Sequence, residues 1–270
     1  MMEIKVDRMQ RKDVNSFYTI LLFIFTVSCA QIEVNSPSSR YITPEAKGKL
    51  LSGEVKVEAQ MDQESELDFS NNKTDNELSM SHHIAATLNL NIGLLERMDF
   101  ILKNYSGAPS VFTFKYQILG NTFYQAKKGD HSLAVTLGHG KKFETQKDDS
   151  NSVFSGPTSD IEAKIEHSLS EASIIYGKRI EDDIILYSSI QVYKQDINFE
   201  LESVDNTTLN GKTFTLNSWN YGLAFGMVRY YESLNITLEA SALRTDFNHN
   251  EPTTHAFVGA AVSYFWESNL

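Results

Sequence analysis

The residues best suited to chemistry are two histidine–serine neighbours, His131/Ser132 and His167/Ser168. A serine hydroxyl becomes a nucleophile when a histidine within hydrogen-bond reach accepts its proton. Both pairs fall in stretches whose polarity alternates, and successive side chains of a strand point to opposite faces. Neither pair can meet on one face, and His167 with Ser170 has the same difficulty. A histidine and a serine from different strands could still meet, which spacing alone does not decide. Gly138-His139-Gly140 also lies in a strand pattern, with no helix after it to make a phosphate cradle. His82-His83 lacks the further ligands that a metal needs. No nucleotide loop, CxxC pair, HExxH or GxSxG occurs. The expectation is a chain without catalytic residues, cofactor or metal.

Charge placement says more. Glu54, Lys56, Glu58, Asp99, Lys103, Lys115, Glu162, Lys164, Glu166 and Glu239 are read onto the polar side of alternating segments. If those segments close on themselves, these residues line an interior. Cross-strand ion pairs there would fill and stiffen it. A narrow aqueous path is the sharper alternative.

From Gly53 onward the dominant period is two, the signature of strands. Val55, Val57 and Ala59 oppose Glu54, Lys56 and Glu58. Leu88, Leu90 and Ile92 oppose Thr87, Asn89 and Asn91. The run from Trp219 to Met227 carries apolar residues opposite Ser218, Asn220, Gly222, Ala224 and Gly226. About ten such segments can be counted. The sixth is the least regular. Ile161, Ala163 and Ile165 are read as its apolar side, and its phase then blurs through 168–175, as at a bulge. Connections at 93–97, 178–183 and 230–233 are tight and 120–130 is longer. Alternate connections at 62–79, 143–159 and 202–212 are long.

Composition bounds the partners. A formal charge of -11 over 270 residues leaves no basic stripe for nucleic acid. Only one stretch, Phe17 to Val27, approaches the length of a membrane helix, and it is too short to be a permanent span. Lys5, Arg8, Arg11 and Lys12 precede it, as in a secretory signal peptide. Val27-Ser28-Cys29 resembles the lipobox of bacterial lipoproteins, where the cysteine is acylated and becomes the mature N-terminus. Thr26 departs from that pattern, and cleavage after Ala30 is the competing reading. Cys29 is the only cysteine, so no disulfide forms within the chain. The expected division is a signal peptide over 1–29, a periplasmic leader over 30–49 and a folded domain over 50–270.

The alternation, the small polar residues opposite the apolar side and the loop asymmetry resemble small outer-membrane β-barrels of bacteria. Phe257-x-Gly259-x-x-Val262-x-Tyr264 resembles the terminal-strand signal read by the barrel assembly machinery. The resemblance implies an all-β, antiparallel up-and-down transmembrane barrel of about ten strands, set in outer-membrane lipid. It implies short periplasmic turns, and aromatic girdles from Trp219, Tyr221, Tyr230, Tyr231, Tyr264, Phe265 and Trp266. The function it implies is structural or that of a narrow pore, with loops 62–79, 143–159 and 202–212 free to meet a surface partner. A lipid-modifying barrel enzyme and a β-sandwich remain the alternatives.

Overall fold

The structure, a computed structural model, describes residues 33–37, 41–67, 78–147, 161–203, 211–247 and 252–268. The signal-peptide and Cys29 readings lie outside these residues, as do 68–77, 148–160 and 204–210 of the long loops. Ten antiparallel strands form the wall: β2 (Gly53–Leu67), β3 (Leu78–Leu95), β4 (Met98–Tyr105), β5 (Val111–Leu119), β6 (His131–Lys147), β7 (Ile161–Glu181), β8 (Ile184–Ser203), β9 (Lys212–Tyr231), β10 (Leu234–Phe247) and β11 (Thr253–Trp266). Each pairs with the next, and β2 pairs with both β3 and β11. The sheet is therefore a closed barrel with no free edge along that seam. A short strand β1 (Glu33–Ser36) adds to the far end of β2, pairing Glu33 with Glu66 and Ser36 with Gln63.

Alternation assigns the two faces of the wall. Val57, Leu88, Phe112, Phe114, Ile190, Leu223, Phe225, Ile236 and Val262 point outward and are exposed. Their chain neighbours Lys56, Thr87, Thr113, Lys115, Gln191, Ala224, Thr237 and Ser263 point inward and are buried. An exposed apolar belt around a polar interior is stable only where lipid surrounds the wall. Trp219 and Tyr221 stack on the outside at 6.4 Å, and Tyr231 lies outward at the other end of β9. Tyr230 and Phe265, expected in the girdle, instead turn inward and pack edge-on to Phe123 at 5.0 and 5.3 Å.

The sixth alternating segment, β7, corrects the reading most. Glu162, Lys164 and Glu166 are not lumen charges, and no phase break separates them from the rest of the strand. Ala163, Ile165, His167, Leu169, Glu171 and Ile175 are all buried, so the odd positions face inward throughout. What changes is the surroundings. Crossing a bilayer takes about 9–11 tilted residues, whereas β6 to β9 run to 17, 21, 20 and 20 residues. The excess rises past the lipid at the loop end, and there the polarity inverts. Ala163, Ile165, Ile197, Phe199, Leu201 and Leu216 form a cluster inside. Lys141–Glu166 at 2.6 Å, Lys194–Asp196 at 2.7 Å and the Lys164–Glu202 pair face water. Phe199→Ala should cost this extension about 3–5 kcal/mol. Lys164→Ala, in a pair roughly half exposed, should stay within about 1 kcal/mol. Urea unfolding in micelles reads both.

Candidate functional site

The lumen is occupied by the chain itself. Of residues 30–49, expected to be a periplasmic leader, 41–47 lie inside the turn-end half of the barrel. Tyr41, Ala46, Glu45 and Lys47 are buried there. This segment has no regular partner strand, so its polar groups must be met by side chains of the wall. The amide of Tyr41 donates to Glu239 Oε2 at 3.1 Å, that of Ala46 to Gln117 Oε1 at 2.7 Å and that of Lys47 to Asp99 Oδ1 at 3.0 Å. In return, Lys56 Nζ donates to the Tyr41 carbonyl at 2.5 Å and Lys115 Nζ to the Glu45 carbonyl at 2.7 Å.

Buried ion pairs complete the seal. Arg179 grips Glu45 through Nε at 2.8 Å and Nη2 at 2.6 Å, the forked geometry suited to a carboxylate. Lys47 pairs with Glu54 at 2.6 Å and Lys115 with Asp99 at 2.8 Å. The 120–130 connection, long for a periplasmic turn, folds under this layer. Phe123 donates its amide to the Ala46 carbonyl at 2.8 Å and sits against the Arg179 guanidinium. In that connection the Asn121 side chain and the Lys127 amide hold the exposed Asp130 carboxyl below its usual range. Asp130 thus adds stability above its unfolded pKa, and that contribution fades as pH falls.

Seven of the ten charges expected in the lumen are there. Glu54, Lys56, Glu58, Asp99, Lys103, Lys115 and Glu239 are buried. Glu54 also accepts from Asn235 at 3.0 Å and Ser263 at 2.5 Å; Lys103 pairs with Glu171 at 2.5 Å, and Glu239 accepts the Tyr187 hydroxyl at 2.6 Å. Glu45, Lys47, Glu171 and Arg179 belong to the same network, although no alternation in the sequence marks them. Above it, Tyr105, Leu169, Tyr193, Leu243 and Phe257 close an apolar layer across the lumen. Phe257, the first residue of the terminal-strand pattern, thus belongs to the lumen filling.

The expected histidine–serine neighbours stay apart, as strand geometry requires. His131 contacts Tyr176 on the outer wall, while His167 is buried inside, 3.3 Å from Gln195 Nε2. A different pair does meet. His139 Nδ1 on β6 lies 2.9 Å from Ser170 Oγ on β7, both facing outward and exposed. Only the register between β6 and β7 brings these two together. The side chains of His82 and His83 lie outside the described residues, and among the described residues no group of metal ligands gathers.

No protein-family model and no curated protein sequence matches the chain. Among solved structures, the outer-membrane protease OmpT of Escherichia coli is 10% identical, with a TM-score of 0.41, over 90% of this chain and 100% of that one. Neisserial surface protein A is 9% identical, with a TM-score of 0.36, over 78% and 96%. The attachment invasion locus protein of Yersinia pestis, in complex with the heparin analogue sucrose octasulfate, is 11% identical, with a TM-score of 0.35, over 81% and 100%. At these identities the likeness is one of fold. Location follows from the wall itself: a closed antiparallel barrel of ten strands with an apolar outer belt, an aromatic boundary and a polar interior. The chain is a β-barrel of the bacterial outer membrane.

Proposed function

We propose that this barrel is a closed, non-conducting scaffold whose working parts face outward, in a structural or surface-contact role. The observation that carries this is the occupied lumen. Residues 41–47 are held by buried ion pairs to β2 and β7 and by buried hydrogen bonds to β4 and β5, and an apolar layer lies above them. A barrel of about eight strands is already filled by its own side chains, and ten adds little room. An inserted segment takes up that room, and among the described residues it fills the turn-end half of the lumen. By the rule of short periplasmic turns, the loop end and the extension of β6 to β9 face the cell exterior. There the loops at 62–79, 143–159 and 202–212 are available to a partner.

Planar-bilayer recording of the folded full chain tests this reading. Baseline current without steady steps is expected, and large stable openings would contradict it. Shortening those loops should leave the heat-dependent gel shift of the folded barrel intact. A loss of folding on shortening would show that the loops serve the barrel rather than a partner.

A further inference from the structure

Beyond the sealed lumen, we propose that His139 and Ser170 form a nucleophile–base pair on the outer wall that hydrolyses acyl esters of membrane lipids. Three independent observations converge. The first is contact: Nδ1 of His139 lies 2.9 Å from Ser170 Oγ, within the reach a general base needs. With the ring proton on Nε2, Nδ1 is the acceptor for the hydroxyl proton.

Height is the second. One rung of the wall runs Phe112, His139, Ser170, Lys194, Trp219 and Asp246 across β5 to β10, each paired with the next. On β6 and β7, the outward residues toward the turn end are Leu137, Ala172 and Ile174. Toward the loop end they are Lys141, Ser168 and Glu166. On β6 and β7 the pair therefore sits where lipid gives way to water. The ester bonds of a membrane lipid lie at that same level, between acyl chains and headgroup. Nothing inside the lumen meets this condition.

The third observation is the shape of the wall beneath the rung. An apolar groove of about 730 Å³ opens toward the lipid there, floored by Leu137, Ala172, Ile174, Ile190, Val192 and Leu223. Its small residue Ala172 lies one outward position below Ser170. The groove fits the acyl chain of a lipid whose ester reaches up to the serine, and it faces the one medium that supplies such chains.

The chemistry balances without an added oxidant or metal. Ser170 Oγ attacks the acyl carbonyl while its proton passes to His139 Nδ1. The ester C–O bond breaks, and the departing alcohol takes that proton. Water then adds to the acyl-serine with His139 again accepting and returning the proton, and a fatty acid leaves. Lys194 is the next residue on the rung, and its ammonium pairs with Asp196 at 2.7 Å.

The test uses the folded full chain reconstituted in vesicles and a fluorophosphonate probe, which labels activated serines. Labelling of Ser170 is expected. It should disappear in Ser170→Ala and slow by about 10²–10⁴-fold in His139→Gln, the range a general base supplies. Both side chains face outward, so each variant should keep the gel shift of a folded barrel. Absent labelling, or labelling unchanged in His139→Gln, would overturn the pair. Release of fatty acid from phosphatidylethanolamine vesicles, or from vesicles carrying lipid A, supports the substrate class and separates the two sources. Release from neither would overturn it. Bilayer conductance is blind to both readouts, so this proposal and the sealed-lumen reading stand or fall separately.

Discussion

Replacing Asp99 by alanine is expected to destabilise the barrel by about 3–5 kcal/mol, the cost of leaving a buried charge without its partner. Asp99 and Lys115 are both 0% exposed and 2.8 Å apart. Asp99 also accepts the amide of Lys47, so its loss strands a cation and a backbone donor together. Lys115 keeps its bond to the Glu45 carbonyl, but a carbonyl does not neutralise an ammonium group. Removing the cation as well should recover much of the loss, because apolar groups of similar volume often replace a buried pair at little cost. The measurement is the urea midpoint of Asp99→Ala, Lys115→Met and the double variant in one detergent. A double variant no better than Asp99→Ala would show that the pair does not act as a unit.

Gly259→Ala is expected to push residues 41–49 out of place while leaving the wall closed. An added Cβ there would overlap the Tyr41 hydroxyl and crowd the Ala59 carbonyl. Tyr41 is 1% exposed and its amide holds Glu239, so it has little space to withdraw within the lumen. Overpacking of this kind typically costs about 1–3 kcal/mol. Gly177 makes the same allowance for Pro44, whose Cγ would lie 2.6 Å from a new Cβ. Small openings should appear in bilayer recordings of Gly259→Ala, and Tyr41→Ala added to it should relieve the clash. If the single variant keeps residues 41–49 ordered and stays silent, these glycines do not exist to make room for the segment.

Most of the wall could be read from alternation, for a physical reason. In β2 to β5, in β10 and β11 and in the lipid-crossing parts of β8 and β9, lipid outside and polar filling inside give each face one chemical character. At β7 the same rule misleads. Ile165 faces inward and Glu166 outward because water, not lipid, surrounds the extension, so an unchanged parity carries an inverted polarity. Residues 41–49 showed no period because they join no ladder. Their bonds run to side chains such as Gln117, Asp99 and Glu239, far away in the chain. On its own strand Ser170 has His167 nearby in sequence, but its partner is His139, a meeting set by the register of β6 on β7. The long 120–130 connection did break the loop pattern in the sequence, and its capping of the lumen gives the reason.

Amide hydrogen exchange of residues 41–49 in the folded, detergent-solubilised barrel tests the central claim most directly. The amides of Tyr41, Ala46 and Lys47 donate to Glu239, Gln117 and Asp99 inside the lumen. They should therefore be protected to a degree comparable with the barrel strands, opening only with larger unfolding. Exchange of those three amides at the rate of an unstructured chain, with the strands still protected, would contradict an occupied lumen and the sealed barrel built on it.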